Sequence, residues 1–272
     1  MVEKDLDTGT DQLLAVKYGG VGIVTLNRPD ARNALSSELS PALRSVIVQM
    51  GIDQEVGALI ITGAGNAFCA GGDVKSMAIN KGPKVSVEER IAKLVDRQRK
   101  LTGALVEIRK PVIAALPGAA VGAGLSIALA CDIRIGAASA FVTTGYVRVG
   151  LSGDYGISSL LTRVVGNARA RELMFTAERL DSARCLELGI FSRVVPDEEL
   201  QKSAFELATQ LAKGPRRALA LMKDNLDEAL EVDFKKSLDG EAPRLIECMQ
   251  SSDHEEAVSA FVEKRQPNFG EG

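Results

Sequence analysis

The sequence is poor in residue types on which many catalytic and metal sites depend. Its 272 residues contain no tryptophan and a single histidine, His254. The four cysteines, Cys69, Cys131, Cys185 and Cys248, form no Cys-x-x-Cys pair. We therefore expect no metal site, and we interpret the cysteines as buried, reduced thiols.

Long apolar runs and an excess of one charge are also missing. The net charge is -3, from 33 basic and 36 acidic residues, so neither nucleic acid nor an anionic membrane is an expected partner. The longest apolar runs, such as residues 57–62, are too short to cross a bilayer. The N-terminal residues are polar and acidic and do not have the pattern of a secretory signal or a transit peptide. With 46% hydrophobic and 25% charged residues, the composition is typical of a globular, cytoplasmic enzyme.

Two segments rich in small residues are the most informative features that are present. Asn66–Asp73 and Pro117–Ser126 each follow an apolar, strand-like stretch. Glycine and alanine allow a ligand to approach the backbone closely and leave N–H groups accessible. Two such donors from separate loops can form an oxyanion hole, which stabilises negative charge on a carbonyl oxygen. The sequence therefore indicates carbonyl or thioester chemistry; the second segment lacks the Gly-x-Gly-x-x-Gly spacing of a dinucleotide site.

The hydrophobic pattern predicts an α/β domain of stacked βαβ units, followed by an almost wholly helical region. The predicted strands lie at 14–18, 21–26, 56–62, 111–116, 132–135, 140–143 and 191–195. The predicted helices lie at 37–50, 86–109, 122–131, 168–175, 183–188, 198–213, 216–230 and 253–264. Ser36 is expected to cap the first helix, and Ser86 with Glu89 forms a capping box for the second. We place the core at 1–200 and a helical C-terminal region at 201–272, whose apolar stripes need a partner surface.

Seven short motifs follow one another in a specific order along the chain. They are Leu26–Leu35 (LNRPDARNAL), Phe68–Asp73 (FCAGGD), Lys110–Gly118 (KPVIAALPG), Gly122–Gly124 (GAG), Cys131–Ile133 (CDI), Gly150–Gly156 (GLSGDYG) and Phe261–Arg265 (FVEKR). By these motifs the sequence resembles the crotonase (enoyl-CoA hydratase/isomerase) superfamily from Leu14 to Phe269. The resemblance implies repeated ββα turns forming a spiral, with a helical C-terminal region that assembles a homotrimer or a dimer of trimers.

The resemblance also implies an acyl-CoA substrate, with coenzyme A as part of the thioester and no separate cofactor. It assigns the oxyanion hole to the N–H groups of Ala70 and Ala123, and makes residues 74–89 the wall or cover of the acyl pocket. The residues it assigns to coenzyme A binding come from three motifs, and those of the last motif would contact the ligand of the same or of a neighbouring subunit. They are Arg28, Ala31, Ala34, Ala70, Gly71, Gly72, Asp73, Phe261 and Lys264.

An oxyanion hole moves no proton, so an acid or base is also required. Hydratases of this superfamily use two glutamates, and the matching positions here are Ser126 and Tyr146. Asp154 is the carboxylate left nearby, and some isomerases of the superfamily resemble this pattern with their acidic base at that place. Asp154 is therefore either a base in a dry pocket or the cap of a helix beginning near Tyr155. Tyr146 is either a pocket donor or half-buried packing.

Four functions are consistent with these residues. Isomerisation through Asp154 is favoured, and hydration is the alternative. Asp154 as a nucleophile, as in the related aroyl-CoA dehalogenases, is less favoured because those enzymes also rely on histidine and tryptophan. A catalytically inactive CoA-binding scaffold is the non-enzyme alternative.

Three further polar residues are expected to be structural. Ser126 lies in no Gly-x-Ser-x-Gly elbow and has no histidine near it in sequence, so we do not interpret it as a nucleophile. His254 is at the start of a predicted surface helix. Asp73 either orients the oxyanion loop or caps its turn.

Overall fold

The computed structural model describes residues 3–73 and 85–270. Its strands are β1 (Lys4–Asp5), β2 (Leu13–Tyr18), β3 (Val21–Leu26), β4 (Ala58–Gly63), β5 (Ala67–Cys69), β6 (Val112–Leu116), β7 (Ala119–Val121), β8 (Ile133–Ala137), β9 (Phe141–Thr143), β10 (Leu180–Asp181) and β11 (Arg193–Val195). Its α-helices are α1 (Leu39–Ile52), α2 (Val87–Gln98), α3 (Ala104–Glu107), α4 (Ala123–Ala130), α5 (Ile157–Val165), α6 (Asn167–Thr176), α7 (Ser182–Glu187), α8 (Leu200–Ala212), α9 (Arg216–Glu228), α10 (Phe234–Met249) and α11 (Ser252–Glu263).

The larger sheet has seven strands in the order β1-β2-β3-β4-β6-β8-β11. β2 and β3 form the predicted antiparallel hairpin, and β3, β4, β6, β8 and β11 run parallel. Every residue of β4 and β6 is buried, as expected for central parallel strands that are covered on both faces. The predicted βαβ organisation is confirmed by this sheet.

A second sheet was not predicted from the sequence. It has four short strands in the order β10-β9-β7-β5, with β5, β7 and β9 parallel. β5 and β7 lie inside the two small-residue segments that the sequence suggested were loops. Their pairing, Ala67 with Ala119 and Cys69 with Ala120, brings those two segments side by side.

Helix α4 is completely enclosed by the rest of the protein, since all eight of its residues are buried. A helix that is apolar on every side has no solvent face, which explains the run of small and aliphatic residues in its sequence. The Ser86 cap of α2 is confirmed, since the Ser86 hydroxyl accepts from the Glu89 N–H at 3.1 Å. α2 continues through a π-helical turn, Arg99–Gly103, into α3. The predicted Ser36 cap of α1 is wrong, since the N-cap is Glu38 and α1 begins two residues after the predicted start, although the Ser36 hydroxyl accepts from the Leu39 N–H at 2.9 Å.

The C-terminal helices divide into two groups. α8 packs its buried Leu200, Ala204 and Ala208 against the larger sheet, whereas α10, which was not delimited in the sequence, has no buried residue. Many large apolar side chains on α9, α10 and α11 are exposed, including Phe234 (77%) and Phe261 (85%). Assembly into a trimer or a dimer of trimers stays a prediction that these faces support. Within the described ranges, none of the helices combines the length and apolarity that a membrane crossing requires.

Candidate active site

A cleft of about 640 Å³ opens between the start of α1, the loop after β5 and the N-terminus of α4. Its lining carries residues of four of the predicted site segments. They are Arg28 from the first motif, Gly72 and Asp73 from the second, Ala123 from the glycine turn, and Asp154. The structure therefore brings together residues that are far apart in sequence.

The amide of Ala70 is not the free donor that the sequence predicts. Its N–H donates to the Arg32 carbonyl oxygen at 2.9 Å, and Ala70 is absent from the cleft lining. Gly72, two residues on, borders the cleft, and no acceptor for its N–H is found within the described residues. Ala70 therefore anchors the loop, while Gly72 presents the available amide. The family motif alone identifies the segment but not which N–H is already bonded.

Ala123 lines the cleft, and its role as an oxyanion donor stays a prediction. Ala123 is the first residue of α4, and the first N–H groups of a helix have no partner within it. Gly122 precedes it with φ 54°, a conformation that favours glycine. A Cβ at Gly71 would lie 2.7 Å from the Val121 carbonyl oxygen and 3.5 Å from the Ala123 nitrogen. The two loops thus touch through glycine, which places the Gly72 and Ala123 amides on one wall of the cleft.

Polar contacts around Asn33 and Arg28 fix the first motif against β5 and the loops on either side of it. Asn33 is fully buried with φ 57°, and its side-chain nitrogen donates to the carbonyl oxygens of Ala64 and Ala67 at 3.0 and 2.7 Å. Arg28 forms an ion pair with Asp73 at 3.3 Å. Asp73 therefore helps to hold the loop, in agreement with the orienting role considered for it. Asn33 was overlooked as a positioning residue, although its place in the LNRPDARNAL motif was a signal.

Asp154, Tyr146 and Ser126 form a hydrogen-bonded cluster at the inner end of the cleft. The Tyr146 hydroxyl donates to Asp154 Oδ1 at 2.8 Å and lies 3.4 Å from the Ser126 hydroxyl. Tyr146 is 6% exposed and Ser126 is fully buried. The two positions at which the resemblance implies glutamates are thus neighbours, and both are occupied by hydroxyl groups. Tyr146 is buried and is also a donor, so it combines the two predicted alternatives.

The pKa of Asp154 is raised from its ordinary value because burial penalises the charged carboxylate, and the Tyr146 hydrogen bond partly opposes this rise. Burial also raises the pKa of Tyr146, which keeps that hydroxyl protonated and able to donate. The alternative that Asp154 caps a helix is wrong, since α5 begins at Ile157 and no side chain caps it. The Asp154 carboxylate is therefore a half-buried group with a raised pKa that borders the cleft.

The backbone next to Asp154 is strained. Tyr155 has φ 50°, a left-handed conformation that is unfavourable for an aromatic residue. Its N–H donates to the Gln98 side chain at 2.6 Å, which ties this turn to the end of α2. Strain held by such a contact is typical of functional sites.

A second cavity of about 730 Å³ adjoins the cleft at Asp154. One wall is the face of α2 that carries Val87, Ile91 and Leu94, and the other contains Tyr146 and Leu151. Residues 74–89 were predicted to line or cover the acyl pocket. Of these, residues 85–89 lie at the start of the α2 wall, and residues 74–84 lie outside the described residues. The cavity provides a mainly apolar space next to the carboxylate, with Arg90, Lys93 and Arg97 of α2 also in its lining.

Several predicted residues are not brought to the cleft. Ala31 and Ala34 lie in the turn behind Arg28 and do not line it. Phe261 and Lys264 are exposed on and just after α11, away from the cleft of the same chain. His254 is exposed at the start of α11, as predicted. A role for Phe261 and Lys264 toward a neighbouring subunit stays a prediction.

Comparison with known proteins agrees with this architecture. The sequence model of the enoyl-CoA hydratase/isomerase family matches residues 16–272. The chain belongs to the enoyl-CoA hydratase/isomerase family. The predicted crotonase superfamily and its α/β fold are thereby confirmed.

Relatives within the family carry different activities in their names. A short-chain enoyl-CoA hydratase from Clostridium acetobutylicum is 34% identical over 259 residues, covering 94% of this chain and 96% of the relative. A 1,2-epoxyphenylacetyl-CoA isomerase from Escherichia coli is 37% identical over 257 residues, covering 92% and 95%. The crystal structure of an enoyl-CoA hydratase from Polaromonas sp. JS666 superposes with a TM-score of 0.88 at 32% identity, covering 95% and 99%. Family membership therefore establishes the enzyme class but not the reaction.

Proposed function

We propose that this protein isomerises an acyl-CoA by moving a proton through Asp154. The observation that carries the proposal is the position of this carboxylate. Among the described residues, it is the one acid that lines both the cleft and the apolar cavity. Its raised pKa makes it a stronger base toward a weak carbon acid.

The Gly72 and Ala123 amides are proposed to bind the thioester oxygen. Both border the cleft on the wall where the two glycine-rich loops touch. Backbone N–H groups held in place by the fold stabilise an enolate oxygen without reorganising during the reaction. Arg28, at the cleft rim, is proposed to contact the coenzyme A portion.

The proposed reaction on a 3-enoyl-CoA has two proton transfers. The Asp154 carboxylate removes a proton from the acyl α-carbon, and the electrons of that C–H bond form a dienolate whose negative charge lies on the thioester oxygen. The protonated Asp154 then returns the proton to the γ-carbon, which gives the conjugated 2-enoyl-CoA. No water is consumed, so the reaction does not need the two glutamates of a hydratase.

Hydration of a 2-enoyl-CoA is the second candidate, because several relatives are named hydratases. In that case Asp154 and Tyr146 are the groups near enough to one another to activate a water together. The replacement of both hydratase glutamates by Ser126 and Tyr146 disfavours this function relative to isomerisation.

Proton NMR in deuterated water separates the two candidates. With a 3-enoyl-CoA, we expect the double bond to move into conjugation, with deuterium entering at the α- and γ-carbons, and we expect Asp154→Asn to abolish both changes. An Asp154→Asn protein with full turnover would contradict the assignment. Water addition to a 2-enoyl-CoA at enzymatic rates, without isomerisation of the 3-enoyl-CoA, would favour hydration.

A further inference from the structure

Two arginines in the cleft have no acidic partner among the described residues. Arg44 on α1 and Arg97 on α2 both line the cleft that contains Ala123 and Asp154. Neither forms an ion pair or a side-chain hydrogen bond there, and the Arg44 Nη1 atom is buried without any partner.

The half-buried Arg44 guanidinium is costly without a partner, because burial of its Nη1 atom removes hydrating water and nothing replaces it, whereas Arg97 is exposed. Two partly buried arginines are paired with acids, Arg28 with Asp73 and Arg109 with Asp224, and buried Arg134 donates to the carbonyl oxygens of Cys131 and Ile190. Asp73 is thus engaged, and the third cleft acid, Glu38, accepts from Gln12 at 2.9 Å. Residues 74–84 contain three lysines and no acidic residue, so that stretch of sequence supplies no counter-charge either.

The location of the two arginines indicates which part of a ligand they meet. Both act electrostatically on the buried Tyr155 side chain, which borders the cleft beside Asp154. Neither contributes to the pKa of Asp154, which burial and Tyr146 determine. Arg97 also lines the apolar cavity with Val87 and Leu94. The two cations therefore share one cleft with Ala123, Asp154 and Tyr155, and Arg97 also borders the adjoining cavity.

We propose that Arg44 and Arg97 bind a carboxylate at the far end of the acyl group, so that the preferred substrates are CoA monothioesters of dicarboxylic acids. The proposal rests on the proposed function, since it places the thioester oxygen at Gly72 and Ala123. The phosphates of coenzyme A are anionic too, but the pantetheine arm separates them from the thioester. A carboxylate on the acyl chain is the anion that can reach Arg44 and Arg97 while the thioester oxygen stays at the Gly72 and Ala123 amides.

Binding of unreactive saturated thioesters tests the proposal without turnover. Calorimetry would compare adipyl-CoA, hexanoyl-CoA and free CoA on the wild-type protein. It would be repeated on Arg44→Gln, Arg97→Gln and a control, Arg171→Gln, whose side chain is exposed on α6 outside the cleft. We expect adipyl-CoA to bind about 10–100-fold more tightly than hexanoyl-CoA, as charge-assisted hydrogen bonds provide. We expect either cleft variant to lose most of this preference and to bind free CoA normally.

Two results would overturn the proposal. One is a wild-type protein that binds the two thioesters equally; the other is an equal loss of free CoA binding in both cleft variants, which would assign the arginines to phosphate. Melting temperatures of the variants establish that they fold, and Arg97, being largely exposed, provides a variant that does not disturb the core. The calorimetry measures binding and not turnover, so it can be interpreted even if the NMR experiment shows no isomerisation. Equal binding of the two thioesters would likewise leave the NMR result on isomerisation unchanged.

Discussion

The hydrogen bond from Tyr146 to Asp154 predicts a specific change in the pH dependence of catalysis. In Tyr146→Phe the ring stays in its buried position, but the donor at 2.8 Å from Asp154 Oδ1 is removed. This hydrogen bond stabilises the charged carboxylate, so its loss leaves burial unopposed and raises the pKa of Asp154 further. The rate of a reaction that needs ionised Asp154 rises with pH through that pKa. We therefore expect the acid limb of the profile to move to higher pH.

The size of the effect follows from the type of hydrogen bond. A hydrogen bond to a charged group contributes about 1.5–3 kcal/mol, which corresponds to about 10–100-fold in the ionisation equilibrium at a tenfold change per 1.36 kcal/mol. On the acid limb, Tyr146→Phe is thus expected to lose about 10–100-fold in kcat/KM. At alkaline pH the carboxylate is ionised in both proteins, and kcat is expected to be equal or slightly higher, because the base is stronger.

The assay is the rate of 3-enoyl-CoA isomerisation across the pH range for the wild type, Tyr146→Phe and Ser126→Ala. Ser126 lies 3.4 Å from the Tyr146 hydroxyl and does not contact the carboxylate oxygens, so Ser126→Ala is expected to keep the wild-type profile. An equal loss of activity at every pH in Tyr146→Phe would refute the reasoning, since it would assign Tyr146 to substrate contact and not to control of the base.

Four further outcomes are expected. The folded-state pKa of Asp154 is raised, so ionisation of this carboxyl lowers the stability of the fold as pH rises through that pKa. Asp154→Asn cannot ionise and should therefore melt at an equal or higher temperature than the wild type at neutral pH. This advantage should disappear in acid, where the wild-type carboxyl is protonated. Ala123→Pro removes the proposed oxyanion donor at the first helical position, where proline is tolerated. It should lower kcat by about 100–1000-fold, whereas the control Ala123→Gly should retain activity. Equal rates for the two variants would exclude the Ala123 amide as an oxyanion donor. Gly124→Ala should destabilise the protein by about 1–3 kcal/mol or more in chemical denaturation, because the added Cβ would lie 2.1 Å from the Cys69 carbonyl oxygen. Burial raises the pKa of the Cys69 thiol to about 12, so a thiol reagent should modify half-buried Cys248 before Cys69. Peptide mapping would show the order of labelling, and early labelling of Cys69 would contradict its buried position.

The long strands and helices were predictable because the pattern of apolar residues in the sequence indicates both their period and their burial. The hairpin β2–β3 and the apolar strands β4 and β6 occur close to their predicted positions. The second sheet was missed because β5 and β7 have three residues each and consist of small residues. Such strands show no alternation, and only pairing with one another distinguishes them from a turn.

The site was predictable in its segments but not in every atom. The motifs identified Ala123 and Asp154, both of which border the cleft. The choice of Ala70 failed because the motif does not show that the Arg32 carbonyl, in a left-handed turn at φ 50°, already accepts its N–H. Availability of a backbone donor depends on tertiary contacts, which a short motif does not encode. The arginines of the inner cleft were missed for a related reason, since Arg44 and Arg97 belong to two amphipathic helices and lie in no motif.

The cluster around Asp154 supports the proposed isomerisation on a fold that this chain shares with hydratases. The two positions that carry glutamates in hydratases are here Ser126 and Tyr146, whose hydroxyls lie 3.4 Å apart. Tyr146 in turn donates to Asp154, so the carboxylate lies one hydrogen bond from the place where the glutamates would be. The proposed base therefore lies beside the proposed oxyanion donors, with one carboxylate in place of two. A single carboxylate can take up and return one proton, whereas adding water across a double bond requires activating the water as well as protonating carbon. We infer that the number of carboxylates around the shared enolate-binding wall, more than the wall itself, determines which reaction this fold performs.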